Sequence, residues 1–411
     1  MADQKTITLI EQLSSLSIKL SSGGDHAEEA RNEALQLSRK LTASLEKPAN
    51  VAVDLAFSPF LSVAARIAVD LGLFKHIVDH DGPVTSEELA SMSGGEELLI
   101  IRILRPLASM GFVDEVGERT WQATPTTEAM ATEEISAGHR MIAPAQSYRA
   151  DKSMPLSSGE MIVGAAHKAP KYFKEAGYRC PTNPHDGLMQ YAFQTKLMTF
   201  DFFRSMPSVF RDFNTFMGNT MGARTYWVDW FPVPERLLEG ATQDAALLVD
   251  VGAGKGHDLI AFHEKYPHRG HLVLQDLASV LENLGHIDPA IERMPHDFST
   301  EQPVQGARAY FLHHILHDWP DHTCLEILAK LKKAMKPGYS KLLLHEMIIP
   351  EKGAPTFYSM LDIAMMAFNA GIERTERQFE ALLGKAGFKV VKFWHAPDQG
   401  ADGIVEAMVI D

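Results

Sequence analysis

Histidines and acidic residues are concentrated in the segment 310–328, YFLHHILHDWPDHTCLEIL. The pattern predicts an apolar strand that ends near the histidines, followed by a helix with Pro320 in its first turn. His317 then lies at the carboxyl edge of a sheet strand, where open α/β sheets bind their ligands. His317 is therefore a candidate functional residue at a ligand-binding edge.

The same histidines raise the question of a metal ion. His313 and His317 have the spacing of a helical pair of metal ligands, but they lie on a strand-to-loop segment, and the H-E-x-x-H motif is missing. We therefore expect no metal site.

A glycine-rich loop follows another apolar strand in the segment 246–258, ALLVDVGAGKGHD. Glycines allow a sharp turn and let a ligand approach the backbone closely. The spacing is G-x-G-x-G, with His257 where the dinucleotide fingerprint has its third glycine, and no G-K-[ST] follows. Asp276 ends the next strand and could accept both hydroxyls of a ribose. Loop and acid together predict an adenosine cofactor, whereas the loop alone could also serve packing.

These residues need a sheet to position them. From residue 245 onward, apolar strands alternate with segments long enough for helices, which predicts a doubly wound, Rossmann-like α/β domain. The predicted strands are 247–251, 271–275, 309–312, 341–349, 389–393 and 405–410.

The N-terminal residues 1–123 show a different pattern of predicted secondary structure. Residues 1–47 carry an apolar stripe at helical spacing, and a second helical run covers 60–73. A capped helix from Thr85, a helix over 97–110 and a hairpin over 111–123 then form a winged-helix pattern. Its second helix offers few basic residues for phosphates, so we expect a dimerisation module rather than a DNA-binding one.

The charge and cysteine content of the chain disfavour several classes of binding partner. Among 411 residues, 39 Lys and Arg face 53 Asp and Glu, for a net charge of −14, which disfavours nucleic acid and anionic membranes. The two cysteines, Cys180 and Cys324, form neither a disulfide framework nor a cysteine-rich zinc site. The N-terminus lacks the pattern of a signal peptide, and we find no apolar run of membrane-spanning length. We expect a soluble, cytoplasmic protein.

The motifs resemble those of the plant and fungal small-molecule O-methyltransferases that use S-adenosylmethionine. The resemblance covers roughly residues 245–411, and the helical front fits the dimerisation domain of that family. The motifs are VDVGAGKG at 249–256, DL at 276–277, HDWPD at 317–321, LHE at 344–346 and ERT at 373–375.

The resemblance assigns roles by position. His317 falls on the catalytic base, and Glu346 and Glu373 fall on the two acids that flank and orient it. Met365 and Asn369 fall on acceptor-lining positions. The cofactor positions are Gly252, Gly254, Gly256, Asp276, Leu277, Asp297, Phe298 and His313, the last standing where plant members usually have lysine. Phe193, from an aromatic and Met-rich region that is mainly expected to form core, is an additional candidate for the acceptor pocket.

The implied activity is methyl transfer from S-adenosylmethionine to a hydroxyl group of an aromatic or polyketide-type secondary metabolite, in a homodimer. We predict a dimerisation domain over 1–130, a helical linker that contributes to the substrate pocket over 131–240, and a cofactor-binding catalytic domain over 241–411. Two alternatives remain open. Some fungal relatives catalyse dehydration or pericyclic rearrangement without methyl transfer, and a non-enzymatic cofactor-binding protein could use the same scaffold.

Overall fold

The computed structural model describes residues 4–21, 25–142, 161–217, 226–282, 284–397 and 402–410. The chain forms two compact units, residues 1–65 and 66–411. The predicted domain limits at 130 and 240 stay a prediction, and the linker segments 143–160 and 218–225 lie outside the described residues.

The first unit is helical. Its helices are α1 (Gln4–Ser15), α2 (Ser17–Ser21), α3 (Asp25–Leu45), α4 (Pro48–Phe57) and the start of α5 (Pro59–Asp70). Leu9 and Leu16 pack with Ala30 and Leu37 of α3, so the predicted apolar stripe does find a partner surface within the unit. Among the described residues no single helix is long and apolar enough to cross a membrane; α4 and α5 reach that length only together, with a 43° bend between them.

The second unit begins with the predicted winged helix. Its elements are α6 (Leu73–Asp79), β1 (Val84–Thr85), α7 (Ser86–Ser93), α8 (Glu97–Ser109), β2 (Asp114–Gly117) and β3 (Thr120–Gln122), with strand order β1-β3-β2. The Thr85 hydroxyl accepts a hydrogen bond from Glu88 N, and Glu88 Oε2 accepts one from Thr85 N. This capping box begins α7 at the predicted residue.

Short helices follow the winged helix: α9 (Pro125–Ala131), α10 (Glu133–Ile142), α11 (Met161–Glu175), α12 (Leu188–Phe193), α13 (Thr199–Arg204), α14 (Pro207–Met217) and α15 (Trp227–Trp230), with a π-helical turn at Pro234–Leu238. Their aromatic side chains form core, as expected. Phe203 is fully buried and packs against Phe213 and Phe368 at centroid distances of 5.5 and 5.6 Å.

A seven-stranded sheet forms the centre of the unit, in the order β11-β12-β8-β7-β4-β5-β6. Its strands are β4 (Ala246–Val251), β5 (His271–Asp276), β6 (Ile291–Pro295), β7 (Ala309–His313), β8 (Lys341–Glu346), β11 (Phe388–His395) and β12 (Gly403–Val409). The five strands from β6 to β8 are parallel, and β12 is antiparallel to both of its neighbours.

Helices cover the sheet on both faces, which confirms the doubly wound prediction. They are α16 (His257–Lys265), α17 (Ala278–Leu281), α18 (Asp321–Ala334) and α20 (Glu376–Ala386). Helix α19 (Thr356–Asn369) packs instead with the helices α11 to α14. The predicted strand 341–349 is in fact two, because β9 (Ile348–Ile349) leaves the sheet and pairs with β10 (Arg374–Thr375). The edge strand β6 was not predicted.

Candidate active site

The glycine loop connects β4 to α16 at the carboxyl edge of the sheet. Gly252, Gly254 and Gly256 have φ angles of +76°, +55° and +76°, a region that favours glycine. Ala253 does not have a positive φ, so alanine is tolerated between them. The N–H groups of Gly252 and Ala253 both donate to the Gln275 carbonyl, at 2.9 and 3.0 Å, which fixes the loop against β5.

Asp276 holds the loop from the end of β5. Its Oδ2 accepts a hydrogen bond from Gly254 N at 2.8 Å, and its Oδ1 accepts one from Leu277 N at 2.7 Å. Burial raises the pKa of Asp276, although both backbone N–H groups oppose the shift. The carboxylate therefore lies at the loop with its position set by two backbone donors.

An adenosine cofactor fits this edge of the sheet. A Cβ at Gly254 would meet no atom within 4 Å, so the space above the loop is open. Within β4, which leads into the loop, both carboxylate oxygens of Asp250 are buried without a hydrogen-bond partner, and desolvation raises the pKa of Asp250 well above its usual range. Asp297 and Phe298 follow β6 beside the same edge, and Phe298 lies near Gly252.

His317 lies on a 3-10 turn, Leu316–Asp318, between β7 and α18. The residue is 6% exposed. Its carbonyl accepts a hydrogen bond from Ile372 N at 2.9 Å, and a Cβ at Gly371 would clash with that carbonyl. The turn also reaches the glycine loop, because a Cβ at Gly252 would lie only 2.6 Å from Ile315 Cδ1. The candidate base and the candidate cofactor loop are thus neighbours.

The two candidate acids contact the histidine turn in different ways. His317 Nδ1 and Glu373 Oε1 are 2.7 Å apart, so Glu373 orients the ring. Glu346 binds the backbone instead, because its Oε1 accepts hydrogen bonds from Ile315 N at 3.2 Å and Leu316 N at 2.8 Å. Glu373 is the ring partner, and Glu346 fixes the turn.

Burial dominates the electrostatics of this cluster. Desolvation lowers the pKa of His317, while the charges of Asp318 and Glu346 oppose that shift. Desolvation raises the pKa of Glu373 to about 8 and that of Asp318 to about 7. It also raises the pKa of Glu346. Burial therefore favours an uncharged imidazole, and Glu373 keeps its proton to a higher pH than a free carboxyl group does.

Both ring nitrogens of His313 face carboxylates of the protein. Its Nδ1 lies 2.7 Å from Asp258 Oδ2, and its Nε2 lies 3.8 Å from Asp402 Oδ2. Although desolvation disfavours the charged ring, the two carboxylates raise the pKa of His313 to about 10. A contact of His313 with the cofactor stays a prediction.

Two of the three candidate acceptor residues lie in one apolar cluster. Phe193 at the end of α12 and Met365 on α19 both belong to it. Asn369 ends α19 and is fully buried; its Oδ1 accepts a hydrogen bond from Thr199 N at 3.2 Å, while its Nδ2 has no hydrogen-bond partner. An unpaired buried amide donor is costly unless a ligand accepts from it.

Several residues that shape the site were not predicted. Asp362 Oδ1 accepts a hydrogen bond from Glu373 N at 2.9 Å. Arg374 donates to the carbonyls of Leu316 and Trp319, both at 2.9 Å, and so holds the segment on either side of His317. The ERT and HDWPD motifs contain Arg374 and Trp319, but sequence alone does not show that they meet.

Three groups of His and acidic side chains in the described part of the chain bring ligand-type atoms within 4.8 Å of one another. They are His257 with Asp258 and His313; His313 with His314 and Asp402; and His317 with Glu346 and Glu373. Hydrogen bonds and ion pairs already link members of each group. The expected absence of a metal stays a prediction.

Comparisons with known proteins give consistent matches. A family model for an O-methyltransferase domain matches residues 235–389, and one for an O-methyltransferase dimerisation domain matches residues 53–133. The O-methyltransferase penC of Penicillium thymicola is 52% identical over 409 residues, which cover 99% of this chain and 98% of the relative.

Two solved structures match along almost the whole chain. LepI in complex with SAM has a TM-score of 0.84 at 30% identity and covers 99% of both chains. A structure described as a pericyclic reaction enzyme has a TM-score of 0.83 at 29% identity and covers 100% of both chains.

Proposed function

This chain belongs to the family of S-adenosylmethionine-dependent O-methyltransferases that carry a dimerisation domain, and we propose that it methylates a hydroxyl group of an aromatic or polyketide-type secondary metabolite with His317 as general base. The family matches confirm the resemblance of the motifs and, with it, the enzyme class and the cofactor. The observation that carries the proposed role of His317 is its contact with Glu373 in a turn that touches the glycine loop.

His317 would act through the nitrogen that does not face Glu373. With Nδ1–H donated to Glu373, Nε2 has a free electron pair and can take the proton of the acceptor hydroxyl. The O–H electron pair then stays on the acceptor oxygen, which becomes a strong nucleophile. The imidazolium that forms is stabilised by the carboxylate of Glu373 and by Asp318, whose Oδ1 lies 3.7 Å from His317 Nε2.

The glycine loop, Asp276, Leu277, Asp297 and Phe298 would hold the cofactor. When bound, S-adenosylmethionine supplies an electrophilic methyl group on a positively charged sulfur. A positive charge bound over the glycine loop would favour the ionised form of Glu373, and therefore the ring tautomer with the proton on Nδ1. Glu346 keeps the turn in place during this exchange because it binds two backbone N–H groups.

The candidate acceptor residues are compatible with an aromatic substrate. Phe193 and Met365 offer apolar and polarisable surfaces, and the free Nδ2 of Asn369 offers one directional donor for an oxygen of the acceptor. A flat molecule with a hydroxyl group and a second oxygen satisfies both features.

The proposal also covers the oligomeric state and the cellular location of the protein. The dimerisation domain match and the exposed apolar side chains of α4 support a homodimer. We propose the domain limits 1–130, 131–240 and 241–411, and a cytoplasmic enzyme that acts on a small molecule without binding nucleic acid.

A second candidate function is a dehydration or pericyclic rearrangement with the cofactor retained. The similarity to a pericyclic reaction enzyme favours it. A histidine that deprotonates a phenol could also deprotonate an alcohol in a dehydration.

One assay separates these functions. The protein is incubated with S-adenosylmethionine that carries a labelled methyl group and with a panel of hydroxylated naphthalenes, coumarins and anthraquinones. We expect equal amounts of methylated product and S-adenosylhomocysteine, and turnover at least about 10²-fold lower for His317→Ala with cofactor affinity within a few-fold. Conversion of an acceptor without loss of the label would select the second function, and unchanged turnover in the variant would reject His317 as base.

A further inference from the structure

Two buried glutamine side chains, Gln275 on β5 and Gln302 in the segment after β6, form a reciprocal pair of hydrogen bonds. Gln275 Nε2 donates to Gln302 Oε1, and Gln302 Nε2 donates to Gln275 Oε1, both at 2.9 Å. Gln275 is fully buried and Gln302 is 3% exposed. Each amide makes a further hydrogen bond, from Gln275 Nε2 to Met294 Sδ at 3.3 Å and from Val304 N to Gln302 Oε1 at 3.1 Å. These bonds fix the direction of both amides.

The pair attaches the segment that carries residues 297–298 to the end of β5. Before these residues, His296 N donates to the Asp276 carbonyl at 2.9 Å; after them, Gln302 binds Gln275. Gln275 and Asp276 also hold the glycine loop through the hydrogen bonds described above. Both parts of the candidate cofactor site are thus attached to the end of one strand.

The strand order indicates which part of the cofactor reaches residues 297–298. The candidate base follows β7, the glycine loop follows β4 and Asp276 ends β5, and these strands are neighbours in the order β7-β4-β5-β6. With the sulfur near His317 and the ribose at Asp276, the adenine ring is expected to extend toward the residues after β6. The Asp297 carboxylate is exposed there and can accept a hydrogen bond from the exocyclic amino group of adenine.

Resting on the function proposed above, we propose that Gln302, through Gln275, is a positioning residue for adenine recognition: the amide pair holds residues 297–298 where the Asp297 carboxylate meets the amino group of the base. A displacement of about 1 Å would lengthen that hydrogen bond beyond its useful range. An apolar side chain of similar length could fill the space of Gln302, but it would not fix the segment by directed bonds.

A role in stability alone predicts a different result. One buried amide left without its partner is costly, whereas replacing both amides by apolar side chains of similar shape can be nearly neutral. The double variant Gln275→Met/Gln302→Met should therefore regain most of the stability to urea that Gln302→Met loses. The directed bonds are absent from both variants, so positioning should stay impaired in both.

The test measures the affinities for S-adenosylhomocysteine and S-inosylhomocysteine by calorimetry, since these ligands differ only in the base. We expect wild type to prefer the adenine ligand by at least about 10-fold, because hypoxanthine presents a carbonyl oxygen to the Asp297 carboxylate in place of the amino group. In Gln302→Met and in the double variant, we expect this ratio to fall to about 3-fold or less. The matched control is Gln190→Met, which removes a buried glutamine that binds Gly187 N and the Leu197 carbonyl outside the candidate cofactor site. Its ratio should equal that of wild type.

A wild-type ratio in the double variant would overturn the inference, because the pair would then serve only stability. An equal fall in Gln190→Met would do the same, since it would assign the loss to general destabilisation. If Gln302→Met does not fold, the double variant carries the test.

Asp297→Ala distinguishes failure of this inference from failure of the proposed cofactor site. Loss of the ratio in Asp297→Ala, with a wild-type ratio in the double variant, would reject the positioning role alone. Equal affinities of wild type for the two ligands would reject the adenine position at Asp297 and the inference with it. Because no acceptor is present, the result does not depend on methyl transfer.

Discussion

Nδ1 of His317 lies 2.7 Å from Oε1 of Glu373, and both residues are more than nine-tenths buried. A buried imidazole with one nitrogen held by a carboxylate can use the other nitrogen as a base. The contact joins a turn after β7 to a segment 56 residues later in the chain.

Replacing Glu373 by Gln should separate orientation of the ring from stabilisation of its charge. The amide oxygen can still accept from Nδ1–H, but it does not stabilise the imidazolium, so we expect turnover to fall by about 10²- to 10³-fold. Affinity for S-adenosylmethionine, measured by calorimetry, should stay within a few-fold. The control is Glu376→Gln, whose carboxylate pairs with the exposed His395. Wild-type turnover in Glu373→Gln would contradict the role of Glu373.

Asp276→Asn should weaken cofactor binding. The carboxylate accepts from two backbone N–H groups of the loop region, and an asparagine side chain has only one oxygen to do so. We expect the dissociation constant for S-adenosylmethionine to rise by at least about 30-fold, since ribose contacts would also be lost. Asp288→Asn is the control, because Asp288 caps a neighbouring loop through Ala290 N. A change of less than two-fold at position 276 would reject the assignment.

Gly252→Ala tests whether the loop needs space as well as conformational freedom. The new methyl group would lie 2.6 Å from Ile315 Cδ1 and push against the turn that carries His317. Gly353→Ala imposes a similar backbone cost, since Gly353 has φ +77° but open space around it. We expect both variants to lose about 1 kcal/mol of unfolding free energy or more, while only Gly252→Ala lowers cofactor affinity and turnover, by about 10-fold or more. Equal catalytic effects would show that the contact with Ile315 is unimportant.

His313 should make stability depend on pH in the alkaline range. Its folded-state pKa is raised to about 10 by Asp258 and Asp402 against desolvation, so the folded state binds its proton more tightly than the unfolded state. This contribution is complete below about pH 6.5 and is lost as pH rises to about 10. Urea unfolding should therefore show that the stability difference between wild type and His313→Gln shrinks over this range. The control His271→Gln removes an exposed histidine; a constant difference for His313→Gln would contradict the raised pKa.

The sequence predicted those parts of the fold that depend on strong local patterns. The strand that leads into the glycine loop is apolar except for Asp250 and is buried at every position, and Thr85 with Glu88 specified the start of α7. The missed strand β6 lies at the sheet edge, and its sequence IERMP has two charged residues among five and is mostly exposed, so it lacks the apolar pattern of a buried strand.

The composition of the site was more predictable than its contacts. His317 and Glu373 were expected together, and they meet. Glu346 was expected to orient the ring, yet it binds backbone N–H groups, a distinction of a few ångströms that no motif encodes. Asp402 was not predicted, because its contact with His314 depends on the antiparallel placement of β12 beside β8.

Asn369→Asp should change acceptor binding more than chemistry. The substitution keeps the oxygen that accepts from Thr199 N and removes the free Nδ2 donor. If that donor binds an oxygen of the acceptor, the KM of whichever acceptor the labelled-methyl panel reveals should rise by about 10-fold, with turnover within a few-fold and cofactor affinity unchanged. The matched control is Asn183→Asp, because the oxygen of this exposed side chain accepts from a backbone N–H in a loop. A normal KM in Asn369→Asp, or a fall in turnover alone, would exclude Asn369 as an acceptor contact, and the buried amide would then serve only to hold the end of α19 against α13.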